Sequence, residues 1–332
     1  MRIMVGLSGG VDSAVSTMLL GRAGVEVVSA FIKTWQPEWT KCTWREERRD
    51  AMRVAAHLDI PFITIDLERE YKESVADYMI AEYRLGRTPN PDVMCNKEIK
   101  FGAFLKRALV LGADAIATGH YARNSPRGEL LRGVDPAKDQ SYFLWTLTQE
   151  QLSKVIFPIG YLLKSEVREL AKQFKLPVAD KRDSQGICFL GHIDMRDFLS
   201  HYIKSEPGKV LDAGGLTIGE HDGAVFYTIG QAWKRPLYVL AKDINKNTLT
   251  VGKLVDQNRK PGFRYNLKDV NWIAGSAPEA SNLVAQIRYH GEKLACTVSD
   301  NTVTFTESVL IAPGQSVVIY DGDVCLGGGV VE

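Results

Sequence analysis

The chain of 332 residues is long enough for two or three domains. Hydrophobic residues make up 45% and charged residues 24%, an ordinary globular composition that excludes a disordered, collagen-like or membrane-embedded chain. The formal net charge of +1 excludes no partner, because a polyanion requires local basic patches rather than a global excess. A Gly/Ser turn follows Met1 too soon for a signal peptide, so we expect a cytoplasmic protein with no membrane association.

The first 120 residues alternate between short apolar runs and helical patterns. Such alternation predicts βαβ units with a parallel sheet, whose ligand binds at the carboxyl ends of the strands. The predicted strands are 3–7, 25–32, 61–67 and 114–118, and the predicted helices are 13–23, 45–58, 68–83 and 97–111.

The pattern changes towards the end of the chain. Helices are predicted over 164–174 and 193–203, and β-type runs over 224–229 and 237–240. From residue 263 to residue 332 short alternating segments are separated by Gly, Asn and Asp turns, which is typical of a small β-barrel or sandwich. We therefore expect an α/β domain at 1–200, a small central domain at 201–260 and a C-terminal β-barrel or sandwich at 261–332.

A Gly- and Ser-rich segment follows the first predicted strand and opens the first helix, and we call it the Gly/Ser loop. Glycines let the backbone approach a phosphate, and the N–H groups of the helix start supply donors. Asp12 could hold Mg²⁺ on the phosphates, whereas the lysine of a Walker loop is absent. The alternative is a strand-to-helix turn without a ligand. The loop comprises Gly6, Leu7, Ser8, Gly9, Gly10, Val11, Asp12 and Ser13.

The five cysteines are widely spaced and form no CxxC pair, which argues against a disulfide framework or a zinc ribbon. We expect no metal site built from cysteine or histidine. Any cysteine with a function is therefore expected to be reactive.

Two cysteines lie in segments that could expose a thiol. Cys95 follows turn-rich residues and precedes the helix predicted from Lys97, where the helix dipole and nearby lysines favour a thiolate. Asp92 lies on the same segment and could act as an acid or base. Cys188 lies in the segment 183–191, DSQGICFLG. For Cys95 the alternative is a buried cysteine in a rigid proline loop, and for Cys188 the alternative is an ordinary buried strand.

The SGGVDS sequence of the Gly/Ser loop resembles the pyrophosphate loop (PP-loop) of the ATP-pyrophosphatase superfamily. Both cysteine segments, and their separation, resemble those of the tRNA-specific 2-thiouridylases. Further matching segments are 119–123, 133–142, 227–231, 286–289 and 312–316. The loop after Gln231 is shorter than in that family, and the family's tRNA contacts in this loop are therefore not carried over to this chain.

The resemblance implies a fold and a reaction. The fold is an N-terminal PP-loop ATPase domain, like the adenine nucleotide alpha hydrolases, with a central tRNA-contacting domain and the barrel. The reaction is 2-thiolation of the wobble uridine of tRNAs for Lys, Glu and Gln. ATP with Mg²⁺ adenylates the 2-carbonyl oxygen, and a cysteine persulfide then supplies sulfur, with release of AMP and pyrophosphate.

The resemblance also implies a role for individual residues. Cys188 receives sulfur as a persulfide, Cys95 is the nucleophile that completes sulfur release through a Cys95–Cys188 disulfide, and Asp92 is the acid or base. The residues expected to bind ATP are Gly6 to Ser13, Ile32 and Gly119. The residues expected to contact the target base are Asn90, Pro91 and Asp92. The residues expected to contact the tRNA elsewhere are Lys138, Asp139, Gln140, Arg288 and Tyr289.

The expected partners are tRNA and a sulfur donor, either a relay protein or a cysteine desulfurase, and the expected state is a monomer. We expect basic side chains of the predicted helices to contact tRNA phosphates, among them Lys100, Lys164 and Arg168. Two alternatives remain: an ATP-pyrophosphatase that transfers nitrogen, such as an argininosuccinate synthase-like ligase, and a non-catalytic tRNA-binding or sulfur-carrier protein.

Overall fold

The computed structural model describes residues 1–40, 43–182, 194–253, 263–280 and 282–332. The strands of these ranges form three sheets of five, five and eight strands. In chain order the strands are β1 (Arg2–Gly6), β2 (Glu26–Lys33), β3 (Phe62–Asp66), β4 (Ala115–Ala117), β5 (Ala122–Asn124), β6 (Leu130–Arg132), β7 (Val155–Ile156), β8 (Gly208–Leu211), β9 (Thr217–His221), β10 (Ala232–Lys234), β11 (Leu237–Asp243), β12 (Thr248–Gly252), β13 (Phe263–Trp272), β14 (Leu283–Gln286), β15 (Leu294–Ser299), β16 (Thr302–Phe305), β17 (Ser316–Asp321) and β18 (Val324–Val331).

The helices of the described residues lie mostly in the N-terminal part of the chain. They are α1 (Val11–Arg22), α2 (Trp44–His57), α3 (Glu68–Tyr71), α4 (Tyr78–Arg84), α5 (Pro91–Met94), α6 (Phe104–Val110), α7 (Gln149–Leu152), α8 (Lys164–Gln173) and α9 (Met195–Ser200). Two π-helical segments, Lys72–Asp77 and Cys95–Ala103, join α3 to α4 and α5 to α6 without a break. Short 3₁₀ turns span Ser141–Phe143 and Ala224–Phe226.

The first sheet is the predicted parallel sheet, with strand order β3-β2-β1-β4-β7. The four strands predicted before residue 120 are confirmed, with each end shifted by one residue. Strand β1 is central, and its neighbours β2 and β4 are reached by crossovers in opposite directions. Such a reversal of strand order opens a crevice at the carboxyl end of β1, where open α/β sheets bind their ligands.

The helix that carries Cys95 begins earlier than the sequence pattern predicted. The prediction of a loop up to Asn96 and a helix from Lys97 is wrong, because a continuous helix spans residues 91–110. The side chain of Asn90 accepts hydrogen bonds from the N–H groups of Asp92 and Val93 and caps this helix, and Pro91 occupies its first turn. We call residues 91–110 the Cys95 helix.

The second sheet forms the central domain, with strand order β10-β11-β12-β8-β9. Strands β12 and β8 pair in parallel, and the other pairs are antiparallel. The β-type run predicted at 224–229 is wrong, because Ala224–Phe226 forms a 3₁₀ turn. Its apolar side chains are explained by packing, since Ala224 joins the small core under this sheet.

The third sheet contains a closed antiparallel barrel of six strands, β13 to β18, which confirms the barrel that the family resemblance implied and excludes the sandwich that the alternating pattern also allowed. Its order is β13-β16-β15-β14-β17-β18, and pairing of β13 with β18 closes it. The hairpin β5–β6 from the N-terminal domain pairs through β6 with Val324 and Cys325, the first two residues of β18, and extends this sheet. A single apolar core contains residues of the N-terminal domain together with Val318, Tyr320 and Cys325 of the barrel, so these two domains pack against each other.

Among the described residues, no helix is both long enough and apolar enough to cross a membrane.

Candidate functional site

The Gly/Ser loop lies where the sheet topology predicts a ligand site, at the carboxyl end of β1. Ile32 is near the carboxyl end of β2, and Gly119 follows β4, so both predicted residues flank the loop on adjacent strands. A Cβ atom on Gly119 would lie 2.7 Å from the backbone N of Ser13, so only glycine fits there. Three segments of the predicted site therefore meet at one edge of the sheet.

The loop is shaped by its serines and glycines. The hydroxyls of Ser8 and Ser13 are 3.1 Å apart, and the backbone N–H of Ser8 donates to Ser13 Oγ at 3.2 Å. Gly9 has a φ of +78°, a conformation that favours glycine. Helix α1 begins after Gly10 with no side-chain cap, so its first N–H groups point into the loop without a capping side chain. Such a loop suits an anion.

A lysine and a tyrosine from distant segments reach Asp12 of this loop. Lys164 Nζ contacts Asp12 Oδ1 at 2.7 Å and Oδ2 at 2.9 Å, and the Tyr121 hydroxyl donates to Oδ1 at 2.8 Å. Lys164 was predicted as a contact for tRNA phosphate, but its ammonium points into the Gly/Ser loop. Likewise Arg168 Nη1 donates to the carbonyl of Ala179 at 3.0 Å, within the protein.

His120, directly after Gly119, lies between the Gly/Ser loop and the Cys95 helix. Its Nδ1 is 2.7 Å from Thr118 Oγ1, and its Nε2 is 3.4 Å from Nζ of Lys100, which belongs to the Cys95 helix. Burial, with the positive charge of Lys100, lowers the pKa of His120 well below its usual value of 6.5. His120 is therefore neutral at physiological pH, and its Nε2 accepts a hydrogen bond from Lys100.

Cys95 lies in the second turn of its helix and is only 2% exposed. Because the helix begins at Pro91, the Cys95 thiol lies one turn inside the helix and not at the helix N-terminus, where it was predicted. Asp92, in the first turn, is more accessible than Cys95. Farther along the same helix, the ring of Phe104 lies 3.6 Å from the position of a Cβ on Gly6. The Cys95 helix thus packs against the base of the Gly/Ser loop.

Both other domains hold the segment that precedes the Cys95 helix. The N–H of Thr88 donates to the carbonyl of Pro313 at 2.7 Å, and Gln315 Nε2 donates to the carbonyl of Thr88 at 2.7 Å. The Thr88 hydroxyl is also 3.3 Å from that of Thr228 in the central domain. Residues of all three domains therefore meet at Thr88, two residues before the helix cap.

Aromatic rings continue from the helix cap towards the barrel. The ring of Phe143 lies edge-on to Tyr142 at 5.4 Å and 4.5 Å from the ring of Tyr289. The Asn90 side chain is close enough to Tyr142 to act on the pKa of its hydroxyl, which burial raises. Burial, with the charges of Asp139 and Asp92, raises the pKa of Tyr289 to about 12. The structure therefore brings Asn90, Asp92 and Tyr289 to one place.

The remaining predicted tRNA contacts differ in their surroundings. Asp139 is 8% exposed and accepts hydrogen bonds from Arg132 Nη1 and the Gly133 N–H, both at 3.0 Å. The Gln140 side chain accepts from the N–H of Tyr121 at 3.0 Å. Arg288 is exposed and Lys138 partly exposed. Asp139 and Gln140 therefore orient their loop through internal hydrogen bonds, and Arg288 and Lys138 have the more accessible charges.

Cys188 and its segment 183–193 lie outside the described residues, as does Cys42. Cys296 and Cys325 are buried in the barrel, and burial raises the pKa of their thiols to about 11 and about 12. Neither barrel thiol is suited to form a thiolate near neutral pH.

Sequence reasoning missed Tyr121 as a partner of the Gly/Ser loop and Thr88 as the contact between domains. Tyr121 lies in a segment that is identified only by its resemblance to the family, and Thr88 begins the turn-rich segment before Cys95. No spacing in the sequence indicates that Tyr121 or Thr88 contacts residues more than 100 positions away.

Family models match three successive ranges of the chain. Residues 1–192 match a model described as a tRNA methyl transferase HUP domain. Residues 196–253 match a tRNA methyl transferase PRC-barrel domain, and residues 264–331 an aminomethyltransferase beta-barrel domain.

Curated relatives are similar over the whole chain. The tRNA-specific 2-thiouridylase MnmA 2 of Geobacillus kaustophilus is 44% identical over 350 residues, an alignment that covers 100% of this chain and 94% of the relative. The tRNA-specific 2-thiouridylase MnmA of Oceanobacillus iheyensis is 44% identical and aligns with 100% of this chain and 95% of its own length. That of Lacticaseibacillus paracasei is also 44% identical, with 100% and 94% covered.

Proposed function

The chain belongs to the tRNA-specific 2-thiouridylase family, and on that premise we propose that it thiolates the wobble uridine of tRNAs for Lys, Glu and Gln. ATP adenylates the 2-carbonyl oxygen of the uracil. A persulfide sulfur then attacks the carbon, and the oxygen leaves in AMP. Adenylation is needed because the carbonyl oxygen is otherwise a poor leaving group.

The Gly/Ser loop is the proposed ATP site. Its support is the uncapped start of α1 with two hydroxyls beside it, since N–H groups at a helix start and serine hydroxyls suit phosphate oxygens. Lys164 supplies the positive charge that the loop itself lacks, because its Nζ already lies within 2.7 Å of the loop's carboxylate. Ile32 and Gly119, on the two adjacent strands, border the adenosine.

Mg²⁺ fits this loop as an ion held mainly by the nucleotide. Asp12 is the loop's carboxylate, and among the described residues no group of three His, Cys, Asp or Glu could hold a metal alone. Mg²⁺ in nucleotide sites is usually bound by one or two carboxylates and by substrate phosphates. When bound there, it would offset negative charge on the departing pyrophosphate. Asp12 is the residue that would hold it.

The sulfur step is assigned to Cys95 and Cys188. Cys188 carries the persulfide, whose terminal sulfur bonds to C2 of the activated uracil. The Cys95 thiolate attacks the inner sulfur of Cys188, so the Cys95–Cys188 disulfide forms as the thiolated base is released. Asp92, one turn before Cys95, is the proposed acid or base. A thiol reductant then reduces the Cys95–Cys188 disulfide to two thiols, and a relay protein or cysteine desulfurase reloads Cys188 with persulfide sulfur. The enzyme acts as a cytoplasmic monomer.

One observation carries this proposal: a single helix joins the two halves of the reaction. The Cys95 helix packs against Gly6 through Phe104 and contacts His120 through Lys100. At its other end the cap residue Asn90 lies beside Tyr142, and Asp92 of the first turn lies near Tyr289. A nitrogen-transferring ligase would have no use for a cysteine at this position.

The proposal is tested by the products of ATP. The protein, Mg-ATP and wobble-uridine tRNA are incubated with a cysteine desulfurase and cysteine, and AMP and thiolated uridine are quantified. We expect both in equal amounts from the wild type, no thiolated uridine from Cys188→Ser, and an unchanged yield from the control Cys296→Ala.

Two outcomes would contradict the proposal. AMP without thiolated uridine, from either the desulfurase or free sulfide, would favour the ligase. Binding of tRNA with no ATP turnover would favour a non-catalytic tRNA-binding protein.

A further inference from the structure

A cleft of about 510 Å³ lies where the β5–β6 hairpin meets the barrel. Its walls come from the hairpin, the loop that contains Asp139, the segment after β14 and the turn between β17 and β18. The charged or titratable side chains that line it are Arg123, Arg132, Asp139, His290, Lys293 and Asp323. None of His290, Lys293, Arg123 and Asp323 belongs to the proposed site above.

The ion pairs of the cleft leave it with excess positive charge. Arg132 pairs with Asp139 at 3.0 Å, and Arg123 pairs with Asp323 at 3.1 Å. Lys293 has no ion-pair partner within the described part of the chain, so its charge is not neutralised. The buried guanidinium of Arg132 also stacks on the ring of Tyr320, with Cζ 3.5 Å from the ring centroid, so Lys293 is the accessible charge of the cleft. A cleft with surplus positive charge suits an anion.

An exposed ring stands at the edge of the cleft. His290 stacks on Tyr289 with ring centroids 3.9 Å apart and planes at 26°, while Phe143 contacts Tyr289 at 4.5 Å. His290 adopts a φ of +57°, which is uncommon for a residue other than glycine. The rings form a row from Tyr142, beside Asn90, to His290 at the cleft. This row ends in an exposed ring on which a base can stack.

We propose that this cleft binds the nucleotide next to the target uridine, with its base on His290 and its phosphate on Lys293. The inference rests on the proposed function, because it requires a tRNA anticodon loop as substrate. It adds a second nucleotide subsite to that of the flipped base. The Arg132–Asp139 pair forms the floor of the cleft, and the Arg123–Asp323 pair lies at its side.

The phosphate contact is tested by the salt dependence of RNA binding. Binding of a fluorescent anticodon stem-loop RNA is measured for the wild type, Lys293→Gln and the control Lys246→Gln at several salt concentrations. Lys246 is 79% exposed in the central domain and pairs with Asp243. We expect Lys293→Gln to weaken binding and to reduce the slope of log K against log[salt] by about 1, while the control changes neither.

The stacking contact is tested in the same assay by His290→Ala, with His57→Ala as the control. His57 is exposed at the end of α2. We expect His290→Ala to raise Kd roughly 5- to 150-fold, because the stacking of a base on the ring is lost, and we expect this rise not to depend on salt. His290→Phe should retain most of the affinity, because a ring remains.

The outcomes separate this inference from the function on which it rests. If the wild type binds the RNA and neither variant weakens binding, the cleft proposal is wrong and the function stands. If both variants weaken binding as expected but wild-type protein thiolates no tRNA, the cleft stands and the function is wrong. If the wild type does not bind the RNA, both are wrong.

Discussion

Lys164 contacts the Gly/Ser loop although 152 positions separate it from Asp12 in the chain. The loop sequence predicted a phosphate site and also showed that no lysine lies within it. The packing of α8 beside α1 brings Lys164 to the loop, and Lys181 Nζ also reaches it, donating to the carbonyl of Gly9 at 3.0 Å. At the scale of single residues, the types of side chain could therefore be predicted from local sequence, whereas their partners could not.

The first prediction concerns the charge of Lys164. Lys164→Met should raise the KM for ATP about tenfold or more, because a hydrogen bond to a charged group contributes about 1.5–3 kcal/mol. Steady-state AMP formation measures this, with Lys172→Met as the control, since Lys172 is exposed on the same helix. An unchanged KM for ATP in Lys164→Met would mean that the lysine serves only to neutralise Asp12.

The second prediction concerns His120 and acid stability. Its pKa is below 6.5 in the folded protein, so the unfolded chain binds a proton first as the pH falls. Stability is therefore lost as the pH drops below about 6.5, by up to about 1.4 kcal/mol per pH unit from this residue. Urea unfolding between about pH 7 and pH 5 should show a shallower loss in His120→Gln than in the wild type. An equal loss in both proteins would contradict burial as the cause.

At the scale of elements, the start of the Cys95 helix shows why a turn-rich sequence misled the prediction. Two prolines around Asn90 indicated a loop, yet asparagine at a helix cap followed by proline in the first turn is also a helix start. Four of the five strands of the parallel sheet, by contrast, were predictable, because each is a short apolar run bounded by turns, whereas β7 has only two residues and was not predicted. The π-helical middle of the helix has no equivalent sequence signal.

The third prediction concerns the contact between the end of β4 and the start of α1. Gly119→Ala should nearly abolish ATP turnover, because the added Cβ would lie 2.7 Å from the backbone N of Ser13 and displace the Gly/Ser loop. Overpacking of this kind costs typically about 1–3 kcal/mol of stability.

The control is Gly21, which lies within helix α1. A Cβ on Gly21 would be no closer than 3.4 Å to its nearest neighbour, so Gly21→Ala should stabilise the helix by roughly 0.5–1 kcal/mol and leave turnover unchanged. ATP turnover and thermal unfolding are measured for both variants. Full turnover in Gly119→Ala would contradict the placement of the loop.

At the scale of the whole molecule, three domains meet at one short segment. Gln315 of the barrel and Thr88 before the Cys95 helix are 227 positions apart, and the hairpin β5–β6 is built into the barrel sheet. The alternating strands and turns predicted a barrel or a sandwich for the C-terminal part. They could not predict the contacts at Thr88, because its N–H and carbonyl belong to the backbone and carry no sequence signal.

The fourth prediction tests this meeting point. A Cβ on Gly314 would lie 2.8 Å from the backbone N of Thr88, whereas a Cβ on Gly322 would meet nothing within 4 Å. Both glycines have a positive φ, so alanine strains the backbone at either position. Gly314→Ala should lower tRNA thiolation at least tenfold relative to Gly322→Ala, while both variants bind ATP equally. Equal thiolation would mean that the barrel does not position the Cys95 helix.

The proposed reaction converts a wobble uridine to 2-thiouridine, with Cys95 and Cys188 as the reacting thiols. The most direct measurement is mass spectrometry of the nucleosides, and of the anticodon fragments, from wobble-uridine tRNA treated with the protein, Mg-ATP and a sulfur source. We predict 2-thiouridine at the wobble position with the wild type, and none with Cys95→Ser or Cys188→Ser when a desulfurase is the donor. Unmodified uridine with the wild type, from either a desulfurase or free sulfide, would contradict the account.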